Sequence, residues 1–447
     1  MAETIQLRDS NRGIYNAPGF DSNAADRATS LLQRNHKDFH IFWNDLGYHN
    51  HQVHFLLTAY ALGAGVERLQ HAFDANTAYQ RVNTPPNEER IKKLEDDSYF
   101  IGLLGSKMGE GTYFVDFRTF FERKMKKIGW QKVTNDYLFS GSELAEQMLI
   151  RLHAGIVHPI IHLGFGIEFE QPAIIAEALA QTACHTGFFA RFFFEAEKRS
   201  RDVSSEQDAP LIDLFREIRN DPELWEKEHW RGGDNLDDEI LADAPTKLID
   251  IAAKWRVNPA DLDIKTAEMY NVNVYSAGAS QYKAKEVKID FFLMHQVNLS
   301  IFYPVFNRQT WLSQGNKARL LTWKGRIDLI NYASRIAPEF HEDEIIKYKP
   351  KDPSRTTWES LFQKAHTMDD DGHIVKLLRA LASGAALSAP YERRGELSNR
   401  FPMKEKYWIQ IGNMAVDTTV SDIYPQRFIR GAGNPEKWAV FKDRMAA

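Results

Sequence analysis

Residues 158 to 168 read His158-Pro-Ile-Ile-His162-Leu-Gly-Phe-Gly-Ile-Glu168, and they are apolar apart from two histidines and the final glutamate. A helix that is apolar on all sides is a buried helix. On such a helix, residues four apart share a face, with Cβ atoms roughly 5–6 Å apart. Two imidazoles placed in this way can converge on one metal ion at about 2.0–2.2 Å each. In the alternative interpretation, each histidine only hydrogen-bonds a backbone carbonyl in the core.

A second apolar stretch predicts another buried helix that ends at Gly63. It reads His51-Gln-Val-His54-Phe-Leu-Leu-Thr-Ala-Tyr-Ala-Leu62. His51 and His54 are three residues apart and therefore share one face of this helix. His49 precedes the helix, where it can serve as a cap.

Helical periodicity dominates the rest of the chain. Pro172 is predicted as a first-turn residue of a helix that continues to Glu197. The best candidate strand, Tyr407-Trp-Ile-Gln-Ile411, is short. We find no internal repeat, which disfavours a helical solenoid. We therefore predict a mostly α fold, with an irregular lead-in over residues 1–20 and a single large helical domain over residues 21–447, whose buried helices carry histidines.

Two further histidines lie in segments of helical pattern. His295 is in the apolar run Phe292-Leu-Met-His295, where a lone histidine is more often a core residue than a ligand. His373 and Lys376 are three apart and share a face in Asp371-Gly-His373-Ile-Val-Lys376-Leu-Leu-Arg379. Lysine is almost never fully buried unless it is paired, and an ammonium group would repel a divalent metal. Lys376 on an apolar face therefore needs a chemical explanation.

Acidic side chains are scarce near these histidines. Asp369 to Asp371 precede His373, and their simplest role is to cap and begin a helix. Glu168 is six residues after His162 and is predicted as a buried acid paired to a base or to helix N–H groups. A place next to a metal ligand is the alternative for Glu168.

The composition excludes several classes of function. The 447 residues carry 56 Lys and Arg against 61 Asp and Glu, a net charge of −5, without a long run of either sign. This charge favours neither a nucleic-acid partner nor a polybasic membrane contact. Cys184 is the single cysteine, so an intramolecular disulfide or a cysteine-based metal site is impossible. We find neither an apolar signal segment at the start nor a run of about 18 apolar residues. We expect a cytoplasmic protein; the sequence does not indicate its oligomeric state.

Dinucleotide-binding fingerprints are missing from the sequence. The pair Gly164-Phe-Gly166 lacks the third glycine of G-x-G-x-x-G, and there is no P-loop motif. A Rossmann site for FAD or NADPH is therefore unsupported, and we predict no cofactor-binding residues of that kind.

Taken together, the four histidine-bearing motifs resemble the questin oxidase-like family, over residues 30 to 440 or nearly the whole chain. The motifs are His49-Asn-His-Gln-Val-His54, His158-Pro-Ile-Ile-His162, Phe292-Leu-Met-His295 and Asp371-Gly-His373-Ile-Val-Lys376-Leu-Leu-Arg379. The resemblance implies an enzyme of fungal polyketide pathways that opens an anthraquinone ring with O2, by a Baeyer–Villiger-type or other C–C cleaving oxygenation. Some members are reported to need NADPH.

The resemblance and the residues together predict a non-heme iron oxygenase, because several neutral imidazoles with open positions suit Fe(II). In this interpretation O2 is a co-substrate, NADPH can act as an external reductant, and the partner is a small aromatic polyketide. The predicted metal ligands are His54, His158, His162, His295 and Lys376. His51 and His373 are predicted to act on the substrate, for example by deprotonating a phenol, and are the reserve ligands.

Lys376 enters the predicted ligand set as a carbamate. Burial lowers the pKa of a lysine, and a neutral amine can capture CO2 to give an anionic oxygen ligand. The alternative is a buried ion pair with Glu168 or Asp371, or a side chain that reaches solvent.

Two alternative functions also stay open: a metal-free, NADPH-dependent Baeyer–Villiger-type oxidase that uses the histidines as acids and bases, and a helical binding protein with structural histidines.

Overall fold

The fold of the chain is described by a computed structural model. The structure describes residues 2–8, 10–18, 22–105, 112–202, 209–225, 244–419 and 427–444. Within these ranges the regular elements are helices, accompanied by isolated β-bridges such as the one between Phe42 and His49. The predicted mostly α fold is confirmed.

The α-helices of the described ranges are α1 Ser22–Asp38, α2 Gln52–Ala61, α3 Val66–Ala75, α4 Glu88–Lys93, α5 Asp97–Leu103, α6 Thr112–Ile128, α7 Trp130–Leu138, α8 Glu143–Arg151, α9 His158–Glu168, α10 Pro172–Cys184, α11 Ala190–Ser200, α12 Leu211–Asn220, α13 Thr246–Lys254, α14 Leu262–Ala279, α15 Phe291–Ser300, α16 Tyr303–Asn307, α17 Gln314–Ser334, α18 Glu342–Ile346, α19 Trp358–His366, α20 His373–Glu392 and α21 Trp408–Thr419. Short 3-10 turns are Pro222–Leu224, Pro259–Asp261, Gly395–Leu397, Glu405–Tyr407 and Pro435–Trp438.

The two helices that were predicted to be buried are buried along their whole length. Every residue of α2 and every residue of α9 lies in the interior. Pro159 occupies the first turn of α9, where its missing N–H costs no hydrogen bond. The histidines of both helices lie in the core because neither helix has an exposed face.

The chain forms two compact units, each built from three separate stretches of sequence. Unit 1 comprises Met1–Ala190, Pro304–Ser313 and His366–Arg379. Unit 2 comprises Arg191–Tyr303, Gln314–Ala365 and Ala380–Ala447. The first two turns of α20 therefore belong to unit 1, although they are more than 170 residues away from Ala190 in the sequence.

In unit 1, α9 contacts both α2 and α10. Helix α10 also packs against α6, and α2 packs against α1 and α3. Within unit 2, α14 packs against α15 and α17, while α12 packs against α13 and α17. The ring of Phe193 stacks on Trp323 at 4.1 Å between centroids in the core of unit 2.

The described part of the predicted lead-in contains no helix, and it is hydrogen-bonded to later residues of unit 1. Gln6 and Gln171 exchange two hydrogen bonds, of 2.8 and 3.0 Å. The amide of Ile14 donates to Glu168 at 2.6 Å. The predicted boundary at residues 20 and 21 lies outside the described residues and stays a prediction.

Two predictions of local structure were wrong. The helix that begins at Pro172 ends at Cys184, and a second helix starts at Ala190. The segment between the two helices includes Gly187, which lies close to Arg151: a Cβ at Gly187 would lie 2.9 Å from Nη1 of Arg151. Residues 407–411 form no strand. Tyr407 ends a 3-10 turn, and Trp408 begins α21, in which Trp408, Ile411 and Met414 are buried. A stretch of five residues is too short to distinguish the strand period of two residues from the helical period of 3.6 residues.

None of the helices in the described ranges combines the length and the apolar character that crossing a bilayer requires.

Candidate active site

His51 and His158 face each other in the interior of unit 1. His51 is the residue before α2, and His158 is the first residue of α9. Their Nε2 atoms lie 2.9 Å apart, and the two rings are nearly parallel, with centroids 5.0 Å apart. Nδ1 of His51 lies 2.9 Å from the carboxylate of Asp371, and Nδ1 of His158 lies 2.6 Å from the carbonyl of Gly155. Both of these partners accept hydrogen bonds.

The backbone before His158 has an unusual conformation. Ile156 and Val157 have φ values of 51° and 57°, in the left-handed region. β-Branched residues are rarely found there, and each such residue costs on the order of 1–3 kcal/mol. Burial of both side chains holds them in place. The strained turn sets the direction from which His158 enters the site.

His54 and His162 form a second facing pair in the same unit. Nε2 of His54 lies 3.2 Å from Nδ1 of His162. The ring of His54 also stacks against Phe165, at 5.1 Å between centroids. Nδ1 of His54 is buried and has no hydrogen-bond partner in the part of the chain that the structure describes. The structure thus groups three of the predicted ligands, His54, His158 and His162, on two adjacent helices.

Lys376 is buried, with 4% of its surface exposed. Within the described ranges its Nζ atom has no hydrogen-bond partner. Burial lowers the pKa of Lys376 to about 8, and nearby Asp371 and Asp370 offset only part of this effect. The ammonium of Lys376 therefore neither reaches solvent nor pairs with Glu168. Glu168 instead accepts a hydrogen bond of 3.1 Å from Arg379, as the buried acid paired with a base that the sequence predicted.

Asp371 joins the two histidines that were predicted to act on the substrate. Its carboxylate contacts Nδ1 of His51 at 2.9 Å and Nδ1 of His373 through its other oxygen. These three side chains form a group whose ligand atoms all lie within 4.8 Å of one another. Gly372, with φ of 93°, allows this turn, since a Cβ there would lie 2.7 Å from Cβ of Phe55. The sequence predicted Asp371 as a helix-start residue or as an ion-pair partner of Lys376, and not as a partner of the two histidines.

A buried glutamate on α10 was missed by the sequence analysis. Oε2 of Glu177 lies 2.8 Å from Nε2 of His162, and Oε1 lies 2.6 Å from Nδ1 of His36. On the far side of its ring, His36 lies 3.1 Å from Glu122. A single acid in the otherwise apolar run of α10 was the signal that could have indicated Glu177.

His185 was also missed, because the predicted helix ran through it. Its Nε2 atom lies 3.0 Å from Nε2 of His49. The ring of His49 in turn stacks on His158, with centroids 4.1 Å apart and an angle of 8° between the rings. His49 does not cap α2, so that part of the interpretation was wrong. Its position is fixed by a bridge to Phe42.

His295 belongs to unit 2, where it lies on α15. Its Nδ1 atom donates to the carbonyl of Phe291 at 2.6 Å. A neutral ring held in this way carries its lone pair on Nε2. The prediction that His295 is a metal ligand stays a prediction.

Burial favours the neutral forms of His51 and His54 in unit 1. Burial lowers the pKa of His51 to about 4, with Lys376 adding to the effect and Asp371 opposing it. Burial also lowers the pKa of His54 far below its ordinary value, again with a contribution from Lys376. Neutral imidazoles keep a lone pair that can bind a metal ion or accept a proton. The site can therefore perform either chemistry.

Comparison with known proteins identifies the family. The model of the questin oxidase-like family matches residues 48–381. The chain is 37% identical over 439 residues to a Baeyer–Villiger oxidase of Pestalotiopsis fici, covering 98% of both chains. It is 36% identical over 447 residues to a questin oxidase of Aspergillus fumigatus, covering 98% of this chain and 99% of the relative. A Baeyer–Villiger oxidase of Emericella nidulans is 39% identical over 419 residues, 92% of each chain. The chain therefore belongs to the questin oxidase-like family and is an oxidoreductase.

Proposed function

We propose that this oxidoreductase is a non-heme iron oxygenase that cleaves a ring C–C bond of an anthraquinone-type polyketide with O2, in secondary metabolism. The substrate class follows from the family and from the relatives named questin oxidase. The proposal of a metal is supported by the side chains of unit 1, which offer imidazole nitrogens and a buried amine.

The contact between His51 and His158 carries the proposal. The other nitrogen of each ring faces an acceptor, Asp371 or Gly155, and therefore holds the ring proton. The two Nε2 atoms, 2.9 Å apart, then present lone pairs to each other. A cation bound to Nε2 of His158 would remove this repulsion and leave Nε2 of His51 available as a base. Two nitrogens that bind one metal ion at about 2.1 Å each lie roughly 3 Å apart, which agrees with the 3.2 Å between Nε2 of His54 and Nδ1 of His162.

We assign His54, His158, His162 and Lys376, which all belong to unit 1, to the iron. Bound iron would supply the redox chemistry with O2. His51, Asp371 and His373 have a different role, because both oxygens of Asp371 already accept imidazole N–H groups. These three form a proton-transfer group in which Asp371 fixes the tautomer of His51, and Nε2 of His51 takes a proton from a substrate phenol.

Lys376 would bind the iron as a carbamate. With a pKa of about 8, roughly a tenth of the molecules hold the neutral amine at pH 7. That amine attacks CO2, forms a C–N bond and releases one proton. The product is an anionic oxygen donor on a buried helix, which would balance the charge of Fe(II) among neutral imidazoles. The isolation of Nζ in the interior supports this reaction, since a paired ammonium would not be available.

The second candidate is a metal-free Baeyer–Villiger-type oxidase that consumes NADPH. Two of the relatives are named Baeyer–Villiger oxidase, which agrees with the reaction type of this candidate. Insertion of one oxygen atom reduces the other to water and needs two electrons from a donor, whereas incorporation of both atoms needs none. Because the sequence has no dinucleotide fingerprint, we propose that NADPH, where required, acts as an external reductant and is not bound tightly.

Turnover of a hydroxylated anthraquinone with isotopically labelled O2 tests the proposal. We expect ring-opened product, loss of activity after chelation and recovery with Fe(II). Full activity of chelated protein that depends on NADPH would establish the metal-free alternative. Tight stoichiometric binding of NADPH to the metal-free protein, followed by fluorescence, would contradict its role as an external reductant.

A further inference from the structure

Glu177 connects two histidines of different helices inside unit 1. It lies on α10 and is 3% exposed. One carboxylate oxygen contacts Nε2 of His162 on α9, and the other contacts Nδ1 of His36 on α1. The distances of 2.8 and 2.6 Å are those of charge-assisted hydrogen bonds.

The two contacts of Glu177 fix the position of the ring protons. Each of its carboxylate oxygens faces one imidazole nitrogen, so that Glu177 is the acceptor of both hydrogen bonds. An ionised carboxylate can only accept hydrogen bonds. Nε2 of His162 therefore carries a proton. A neutral imidazole with its proton on Nε2 has a lone pair and no proton on Nδ1. Nδ1 of His162 is the atom that faces Nε2 of His54 at 3.2 Å.

The network continues beyond Glu177 on the side away from the proposed metal ligands. Nε2 of His36 lies within ion-pair distance of Glu122, at 3.1 Å. Burial alone would lower the pKa of His36, but the contacts with Glu122 and Glu177 outweigh it and raise the pKa. Arg118 holds this end, since its guanidinium contacts Glu122 at 3.2 Å and donates to the carbonyl of His36 at 2.6 Å.

We propose that Glu177 is a positioning residue for the metal centre: it fixes His162 as the Nε2–H tautomer, so that Nδ1 is the atom offered to the metal, and His36 anchors its second oxygen. The tautomer depends only on this chain, whereas its consequence for the metal rests on the proposed function. Carboxylates that orient a ligating histidine in this way also make the ring a stronger donor, and their loss typically costs roughly 10- to 100-fold in metal affinity.

A purely structural role for Glu177 makes a different prediction. An ion pair that only joins α1 to α10 would stabilise the fold through His36 and would leave the tautomer of His162 without consequence. Asp116 offers a matched control for such a role. It is another buried carboxylate of unit 1, which pairs with Arg90 and accepts from the amide of Asn87 at 2.7 Å.

The first test is the tautomer of His162 in the metal-free wild-type protein, read by nitrogen NMR of histidine-labelled protein. The signal is assigned through its loss in His162→Gln. We expect a proton on Nε2 and none on Nδ1. A proton on Nδ1 would overturn the proposal, even if the Glu177 variants below fail to fold.

The second test is a competition titration with Co(II), used as a spectroscopic probe of the metal-free protein. We expect Glu177→Gln to raise the Kd by roughly 10- to 100-fold, and Asp116→Asn to lose stability while keeping the wild-type Kd. Wild-type affinity in Glu177→Gln would overturn the positioning role. If the wild-type protein itself binds no Co(II), the proposed iron centre fails, and so does the role of Glu177 at it; the NMR result still decides the tautomer separately.

Discussion

The Nε2 atoms of His51 and His158 lie 2.9 Å apart, although 107 positions separate the two residues in the sequence. Each ring holds its proton on Nδ1, against the carboxylate of Asp371 or the carbonyl of Gly155. The contact therefore brings two lone pairs together in the core. Asp371 on one side and the strained turn before His158 on the other keep the two rings in this position.

Asp371→Asn separates proton transfer from metal binding. We expect kcat to fall by roughly 10²- to 10⁴-fold, because the amide cannot accept both imidazole N–H groups and orient His51 as a base. The iron content should stay at the wild-type level. Asp369→Asn is the control, since this nearby aspartate is 70% exposed and should turn over normally. A loss of iron together with activity in Asp371→Asn would show that Asp371 is a ligand and would contradict the division of roles.

Replacement of Lys376 tests the carbamate. We expect both Lys376→Met and Lys376→Arg to lose iron and activity, because neither side chain can capture CO2. Activity of the wild-type protein should fall when CO2 is removed and return with bicarbonate. Lys324→Met is a control for the loss of a buried lysine, since Lys324 is paired with Asp328 in unit 2; it should lower stability without any dependence on CO2. Normal iron and turnover in Lys376→Arg would end the carbamate proposal.

Gly13→Ala should destabilise the fold through the N-terminal segment. Gly13 has φ of 78°, and a Cβ there would lie 2.6 Å from both Nη2 of Arg379 and Oε1 of Glu168. We expect the free energy of unfolding to fall by about 1–3 kcal/mol, as measured in urea. Gly102→Ala is the opposite control: it lies within α5 with open space around it, so alanine should leave stability unchanged or raise it by up to about 1 kcal/mol. Equal stability of Gly13→Ala and wild type would contradict the close packing of this segment.

The helical fold and several of the site residues could be predicted because their signal is local. An apolar run that contains His158 and His162 four residues apart identifies a buried helix and the pair on its face. The same argument identifies His54 on α2. Lys376 attracted attention because a lysine on an apolar face is chemically unusual, and the structure confirms that it is buried.

The other site residues depend on contacts that spacing does not reveal. Asp371 and His51 are 320 positions apart, so the pairing follows only from the packing of the chain. Glu177 and His36 are separated by 141 positions. His185 was hidden by a helix that was predicted to continue past it. In each case the local pattern permits a simpler role, such as capping a helix or filling the core, and tertiary packing decides between the two.

The iron content of the purified protein tests the central claim most directly. Protein made in iron-supplemented medium should carry about one iron per chain, and His158→Ala and His162→Ala should lose most of it. His71→Ala, which removes a histidine that is 56% exposed on α3, should keep the wild-type content. Stoichiometric zinc, or no metal at all, in wild-type protein with full ring-cleaving activity would contradict the account.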